Sequence, residues 1–290
     1  MSIRVQRLIA RCCLLFVASV ALLGQTVEQP TATESVPVAT RLVLDAAGEV
    51  QRNSITSVYL MLCPKTQKKG TGFLLKTGII VTNEHVVRGC VHNEMEAVSP
   101  LGKTIRFTKL ATDSDRDLAL LRPAEKLIGG LELGADVSPV LGTAVSTWGF
   151  PLVYSGPAPL LSVGYVAGYN DVKIGARTVK HIVVNGAFNP GNSGGPVFMA
   201  NSNKVVGVVV WKQRLFSQLV PTVITGMQHT TGLSFGTFSF AMPDGTVRPV
   251  SNEEAVALVL EEFYDTVQVM IGEAIAVSEL KAFIASQQQF

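Results

Sequence analysis

The sequence of 290 residues has almost no excess of charge, and this absence argues against one class of partner. Its 24 Lys and Arg residues are offset by 22 Asp and Glu residues, which leaves a formal net charge of +2 at pH 7. No long basic run concentrates positive charge in one segment. Because binding to nucleic acid phosphates depends on such a concentration, we expect no nucleic acid among the partners.

The sequence also lacks an apolar run long enough to cross a bilayer. Residues 12–24 (CCLLFVASVALLG) are thirteen apolar or small residues behind three arginines, whereas a spanning helix needs about 20. This length and these flanks are typical of a signal peptide. We therefore expect residues 1–24 to be a signal peptide, the protein to be exported, and no stable membrane insertion after cleavage. A buried helix and an uncleaved anchor are the alternatives.

Cysteine and histidine are scarce, with four of each. Two cysteines lie in the predicted signal peptide, so Cys63 and Cys90 remain as an even pair in an oxidising compartment. We expect a disulfide between them, and two buried free thiols are the alternative. No histidine stands at a metal-ligand spacing from another histidine or from a cysteine. We therefore expect no metal site.

Short β-rich runs fill the middle of the sequence. Between about residues 54 and 245, runs such as SVYLMLC, GIIVTN, AVSTWGF and VVGVVVW alternate with Gly, Pro, Asn and Asp. No long amphipathic helix interrupts them. This pattern is typical of an all-β barrel or sandwich and argues against a parallel α/β sheet.

The flanking segments differ from this region. Residues 25–50 begin with a stretch rich in Thr, Pro and Glu, which predicts a flexible N-terminal segment. Residues 246–290 contain a capping box that starts at Ser251, and it predicts a helix to about residue 271. A second short helix is expected near Ser278, so the C-terminal region is predicted to be a helical extension.

Residues 189–198 read NPGNSGGPVF and crowd glycines, prolines and asparagines around Ser193. A serine hydroxyl becomes a good nucleophile only when a base takes its proton. The attacked carbonyl also needs donors for its developing negative charge. Because glycine tolerates positive φ, the backbone N–H groups of Gly191 and Ser193 can point at one spot. Alone, this motif indicates only a turn, so a base and a carboxylate are needed elsewhere.

Two segments supply those candidates. His85 follows a predicted hairpin, just past the predicted strand 79–82 at the rim of a sheet. Asp117 leads directly into the apolar run LALL, and a buried ionised carboxylate needs a partner such as an imidazole N–H. Asp113 and Asp115 lie in the polar turn before it and are predicted to be solvated loop residues. The alternatives are a structural histidine and a strand-start cap.

The segments TGFLLKTGIIVTNEHVV, DSDRDLALLRP and FNPGNSGGPVF occur in this order. They resemble the motifs of the trypsin-like (chymotrypsin-fold) serine proteases, closest to the bacterial HtrA/Deg branch. STWGFPL, SVGYVAG and FSFAMP resemble further segments of that family's second barrel. The resemblance covers about residues 54–245. It implies an all-β protease domain over residues 51–245, built of two six-stranded antiparallel β-barrels at about 51–135 and 136–245.

The resemblance also implies a mechanism and a setting. Ser193 would attack the scissile carbonyl, His85 would accept and return the proton, and Asp117 would orient His85. The N–H groups of Gly191 and Ser193 would form the oxyanion hole. Polypeptide substrates would be hydrolysed through an acyl-enzyme without a metal or cofactor. The protein would be a periplasmic or secreted bacterial one.

Two positions depart from the digestive members of the family. Asn192 stands where those members carry an aspartate that pairs with a new N-terminus, so we expect no such activation. Ala187, six residues before the nucleophile, predicts an apolar floor for the S1 pocket, and we expect small or medium apolar P1 residues. The strand at 205–211 is predicted to form a pocket wall and to bind substrate as an added strand. The alternative is that it is only core. Its candidate substrate contacts are Val209, Val210 and Trp211.

In many family members a bridge ties the strand before the glycine-rich segment to the stretch after the catalytic histidine, which favours the Cys63–Cys90 disulfide. Residues 212–236 are long for a hairpin connection and predict a loop on the substrate side or a lid. Only about 45 residues follow the protease region, too few for the PDZ domain that HtrA proteins usually carry. The oligomeric state stays open. The alternatives to an active protease are a catalytically silent protein of this fold that binds peptides, and a protease still anchored by its N-terminus.

Overall fold

The structure, a computed structural model, describes residues 36–152, 154–174, 177–200, 202–212, 238–241, 247–250 and 271–287, and in addition Glu254, Val256, Ala257, Leu260, Glu261 and Phe290. The predicted signal peptide and nearly all of the predicted loop 212–236 lie outside the described residues. So does most of the first predicted C-terminal helix, although the five residues described between 254 and 261 are helical.

Four α-helices have both ends among the described residues, and none of the described helices is long and apolar enough to cross a membrane. Their bounds are α1 Val38–Ala46, α2 Glu49–Thr56, α3 Glu84–Val87 and α4 Val277–Ser286.

The first barrel is a seven-stranded antiparallel sheet with the order β5-β4-β1-β2-β3-β7-β6. Successive side chains of a strand point to opposite faces, so each strand supplies two cores. In β7, Ala119 and Leu121 fill the barrel, whereas Leu118 and Leu120 join a cluster shared with the second barrel. The strands are β1 Val58–Cys63, β2 Lys68–Leu74, β3 Ile80–Thr82, β4 Glu96–Val98, β5 Thr104–Ile105, β6 Phe107–Asp113 and β7 Leu118–Pro123.

The second half of the chain forms a closed barrel. Its strands are β8 Glu132–Leu133, β9 Ala144–Gly149, β10 Leu160–Ile174, β11 Arg177–Gly186, β12 Pro196–Met199, β13 Lys204–Lys212 and, after β14 Phe238–Ala241 and β15 Val247–Val250, β16 Ile271–Ala276. The order is β12-β9-β10-β11-β16-β13-β8, and the additional pairing of β12 with β13 closes six antiparallel strands into a ring. The predicted all-β fold of two barrels is confirmed.

The last barrel strand, β16, lies between the two predicted C-terminal helices, in a region that was expected to be a helical extension. β16 pairs with both β11 and β13, so the barrel does not end at residue 245 and residues 246–290 are not a purely helical extension. FSFAMP, which resembles a barrel segment, contributes β14, and the described part of the chain pairs β14 only with β15. The predicted barrel end at residue 245 and the purely helical extension were wrong because periodicity alone cannot assign a six-residue apolar run to a strand.

The predicted flexible segment also contains regular structure. Residues 38–46 and 49–50 lie in α1 and α2, so the expectation of flexibility over residues 25–50 is wrong for this part. The physical reason is packing: Val43 and Leu44 contact the cluster shared by the two barrels. The buried hydroxyl of Thr40 also donates a hydrogen bond to the carbonyl of Pro100 at 2.8 Å.

Candidate active site

His85 and Asp117 are joined by two hydrogen bonds. His85 lies in α3, directly after β3, and Asp117 directly precedes β7, which pairs with β3. The imidazole Nδ1 is 2.7 Å from one carboxylate oxygen of Asp117, and the backbone N–H of His85 donates to the other oxygen at 2.9 Å. The side chain of Asp117 is only 15% exposed. This bidentate contact leaves Nε2 as the ring nitrogen that can exchange a proton with a substrate or nucleophile.

The backbone of Asp117 is held in an unusual conformation. Its φ is +52°, a left-handed value that few non-glycine residues adopt and that aspartate tolerates better than most. The side-chain amide of buried Asn83 donates to the carbonyl of Asp117 at 2.9 Å. Sequence reasoning did not single out Asn83, because its role depends on a contact 34 residues away along the chain.

Arg116 ties the turn before Asp117 to the C-terminal helix. Its guanidinium contacts Asp113 at 2.6 Å and Glu279 of α4 at 3.0 Å. Burial lowers the pKa of Arg116, but the hydrogen bonds to the two carboxylates outweigh it, so the pKa lies above its ordinary value. Asp113 also accepts from the backbone N–H of Arg116, and its side chain is 16% exposed. The expectation that Asp113 is solvated is therefore wrong, whereas Asp115 is exposed to a larger extent, at 41%.

Ser193 lies in a tightly bonded turn between β11 and β12. Its hydroxyl donates to the carbonyl of Val210 at 3.1 Å. Because a hydroxyl has one proton, it cannot donate to His85 in the same state. The carbonyl of Ser193 accepts from Thr71 N–H at 2.9 Å, and the N–H of Gly194 donates to Val209 at 2.8 Å.

Two glycines of this turn, Gly191 and Gly194, have positive φ angles and leave no space for a side chain. Gly191 has φ +95° and Gly194 has φ +86°. A Cβ on Gly191 would overlap the carbonyl of Phe150, and one on Gly194 would overlap the carbonyl of Thr71. The described chain contains no cis peptide bond, so each N–H points opposite to the carbonyl before it. The carbonyl of Pro190 accepts from Leu152 at 2.8 Å, which directs the N–H of Gly191 away from Leu152.

The predicted substrate contacts are only partly where the sequence analysis placed them. Val209 is 1% exposed and its side chain lies in the core of the second barrel, so the expectation that it lines a pocket wall is wrong for its side chain. Val210 is buried in the shared cluster and offers its carbonyl to Ser193. Ala187 is half-buried. The side chain of Trp211 lies outside the described residues.

The predicted disulfide is present. Cys63 at the end of β1 is bonded to Cys90, which follows α3, with a Cα–Cα distance of 6.0 Å. Both residues are buried. The bond therefore attaches the segment that follows His85 to the core of the first barrel.

The described residues contain no group of three or more His, Cys, Asp or Glu side chains that could hold a metal ion. His181 forms a buried pair with Glu273, with Nδ1 2.8 Å from the carboxylate. His229 lies outside the described residues.

Residues 70–208 match the family described as "Trypsin-like peptidase domain". Among curated proteins, the chain is 34% identical over 159 residues to "Uncharacterized protein y4bJ" of Sinorhizobium fredii, an alignment that covers 53% of this chain and 23% of that protein. It is 30% identical over 192 residues to "Probable periplasmic serine endoprotease DegP-like" of Rickettsia prowazekii, with 64% of this chain and 33% of that protein covered. The matches thus span about a quarter and a third of these relatives' own lengths.

Solved structures show the same fold. The HtrA-type protease AlgW with a tripeptide is similar with a TM-score of 0.55 and 18% identity, over 83% of this chain and 62% of that chain. A serine-to-alanine mutant of Rv3671c from M. tuberculosis H37Rv, in its inactive form, gives a TM-score of 0.54 and 17% identity, over 85% of this chain and 95% of that chain. The resemblance to trypsin-like proteases of the HtrA/Deg branch is confirmed over residues 70–208, which match the trypsin-like peptidase domain.

Proposed function

We propose that this protein is an exported serine endopeptidase that uses Ser193, His85 and Asp117. The observation that carries the proposal is the bidentate contact of Asp117 with His85, in a peptidase domain whose glycine-rich turn holds Ser193. Asp117 fixes the proton on Nδ1 and stabilises the imidazolium that forms during reaction. Nε2 is then free to act as the general base.

The first step of the proposed reaction is a rotation of the Ser193 side chain. The hydroxyl leaves the carbonyl of Val210, to which it is bonded at rest, and donates to Nε2 of His85. As Oγ forms a bond to the substrate carbonyl carbon, its proton moves to Nε2. His85 then gives this proton to the leaving amine. In the second half of the reaction His85 takes a proton from water, whose oxygen attacks the acyl carbon, and returns that proton to Oγ of Ser193 as the acyl group leaves.

The proposed oxyanion hole uses the N–H groups of Gly191 and Ser193. The carbonyl before each is already engaged: Pro190 accepts from Leu152 at 2.8 Å, and Asn192 accepts from Gly195 at 2.9 Å. Both N–H groups therefore point away from those contacts. Donors fixed in advance stabilise the tetrahedral intermediate without a reorganisation cost during the reaction.

An apolar P1 preference is part of the proposal. Ala187 supplies no charge for a Lys or Arg side chain. Phe188 is 2% exposed and packs where a Cβ on Gly272 would lie. The uncharged Ala187 beside the apolar Phe188 favours small or medium apolar P1 side chains. The Cys63–Cys90 bond supports export, because disulfides persist in oxidising compartments.

Hydrolysis of a peptide library by the purified full chain tests this function. We expect cleavage after Val, Ile, Ala or Leu, and no cleavage by Ser193→Ala prepared in the same way. Cleavage after Lys or Arg would contradict the assigned pocket, and equal hydrolysis by Ser193→Ala would contradict the assigned nucleophile.

One observation favours a second function. Because the Ser193 hydroxyl is bonded to Val210, the resting protein could bind peptides without cutting them. The library separates the two, since a silent or trigger-dependent protein of this fold would retain peptides and release no products.

A further inference from the structure

We infer that Thr71 is a positioning residue for the oxyanion loop, defined here as residues 189–195; the inference rests on the proposed function. Thr71 lies in β2 of the first barrel and is fully buried, whereas the oxyanion loop leads into β12 of the second. Four hydrogen bonds converge on this one residue, two at its side chain and two at its backbone.

The hydroxyl of Thr71 connects two segments of the second barrel. It donates to the carbonyl of Gly191 at 2.7 Å and accepts from the N–H of Phe150 at 3.0 Å. A hydroxyl has one proton to donate, and the buried hydroxyl of Thr71 uses it in the bond to Gly191. The bond fixes the plane of the peptide between Gly191 and Asn192.

The backbone of Thr71 fixes a second peptide plane. Its N–H donates to the carbonyl of Ser193 at 2.9 Å. Its own carbonyl accepts from the hydroxyl of Thr82 at 2.7 Å, which links it to the neighbouring strand β3. The carbonyls of Pro190, Gly191, Asn192 and Ser193 are therefore all engaged, and Thr71 supplies two of the four donors.

The side chain of Asn192, which lies inside the oxyanion loop, does not hold the loop's peptide planes. Asn192 is fully buried, yet neither its amide oxygen nor its amide nitrogen has a hydrogen-bond partner. Two carbonyls of the loop are instead held from the first barrel, both by Thr71. Replacing Thr71 by the isosteric valine would leave the carbonyl of Gly191 and the N–H of Phe150 buried without partners, and such groups drive local rearrangement.

Steady-state kinetics on full-length Thr71→Val, Thr71→Ser and Thr40→Val test the inference. Thr40 is the matched control, because it is also fully buried and donates to one backbone carbonyl, that of Pro100. We expect Thr71→Val to lower kcat roughly ten- to a hundredfold, less than the roughly hundred- to thousandfold cost of removing an oxyanion donor outright, with KM nearly unchanged. Thr71→Ser and Thr40→Val should keep kcat. Equal losses in Thr71→Val and Thr71→Ser, or a loss confined to KM, would overturn the inference.

Amide hydrogen exchange measures how firmly the oxyanion loop is held, and it does not depend on catalytic activity. We expect Thr71→Val to speed exchange in peptides covering residues 189–195, with Thr71→Ser and Thr40→Val matching wild type. Unchanged exchange in Thr71→Val would overturn the inference even if its kcat fell. If wild type cuts no peptide while Thr71→Val loosens the loop, the proposed function fails and the positioning role stands. Thr71→Ala replaces Thr71→Val in both measurements if the valine variant does not fold.

Discussion

Both carboxylate oxygens of Asp117 are hydrogen-bonded to His85. The backbone carbonyl of Asp117 accepts a hydrogen bond from Asn83. The left-handed φ of Asp117 has to be maintained by such contacts, because the conformation costs energy for a residue with a Cβ. At the scale of single residues, Asn83 is therefore the contact that orients the backbone of the proposed triad acid.

Replacing Asn83 by alanine removes the amide that bonds to the carbonyl of Asp117. A buried hydrogen bond contributes about 1 kcal/mol net, and more when the remaining partner stays unsatisfied, so we expect kcat/KM to fall roughly tenfold. Steady-state hydrolysis of an apolar-P1 peptide measures this. Asn93→Ala, at an exposed position, is the control, and a similar loss there would contradict the role of Asn83.

Tyr59 makes stability depend on alkaline pH. Burial in the first barrel, with Glu125 nearby, raises the pKa of Tyr59 to about 12 from 10.0. The folded state therefore holds the proton more tightly than the unfolded chain. The stabilisation is fully present below pH 10 and is lost as the pH rises from 10 to 12. Over this window the free energy of unfolding should fall by roughly 3 kcal/mol more in wild type than in Tyr59→Phe. Urea unfolding across pH 9 to 12 measures it, and identical pH profiles would contradict the assignment.

Single residues also show where sequence reasoning reaches its limit. His85, Asp117 and Ser193 could be located because each lies in a local motif. Thr71 and Arg116 could not, because their partners, Gly191 and Glu279, come from distant parts of the chain. A hydroxyl or guanidinium with several distant partners leaves no local pattern.

At the scale of elements, α4 connects the end of the chain to the turn that carries Asp117. The connection is the ion pair of Glu279 with Arg116, whose side chains are 16% and 10% exposed. Breaking one side of a buried pair leaves a charge without compensation. The helix therefore helps to hold the turn before Asp117 as well as covering the core.

Glu279→Gln tests this link. We expect the free energy of unfolding to fall by about 2–3 kcal/mol, because Arg116 loses one of its two carboxylates in a mostly buried place. Lys281 lies on the same helix and pairs with Asp136 of another segment, at a more exposed place. Lys281→Gln should therefore change the free energy of unfolding by about 0.5 kcal/mol or less. Urea unfolding of both variants measures these changes. Equal losses of unfolding free energy would contradict a larger contribution from the buried pair.

The disulfide joins two further elements, β1 and the segment after α3. Replacing Cys63 and Cys90 together by alanine should lower the free energy of unfolding by roughly 3 kcal/mol, the loop-closure contribution for a bond of this sequence separation, 27 residues. Thermal unfolding with and without reductant measures it. Reductant should destabilise wild type and leave the double variant unchanged; destabilisation of both would point to another cause.

β16 shows why one strand was not predicted from sequence. IGEAIA is short and mostly apolar, and it precedes a true helix, so its local signals suit a helix end as well as a strand. Only the pairing with β11 and β13 on both sides makes it a strand. By contrast, the hairpin of β2 and β3 was predictable, because Gly78, with φ +84°, gives a clear turn signal.

At the scale of the whole molecule, each barrel supplies part of the proposed site. The first barrel carries His85 and Asp117, and the second carries Ser193 and its loop. Thr71 bonds the first barrel to the second, and Arg116 bonds the first barrel to α4, the helix that follows the last strand of the second barrel. The repeated short strands and turns predict an all-β fold, and the resemblance to trypsin-like proteases implies two barrels, whereas the contacts between the barrels follow only from their packing.

The most direct test of the central claim is covalent labelling of the full-length protein with a fluorophosphonate probe, read by mass spectrometry. We expect one adduct, on Ser193 in wild type, with none in Ser193→Ala and strongly slowed labelling in His85→Ala. A folded wild-type protein that takes up no probe, or that carries the adduct on another residue, would contradict the claim that Ser193 is an activated nucleophile.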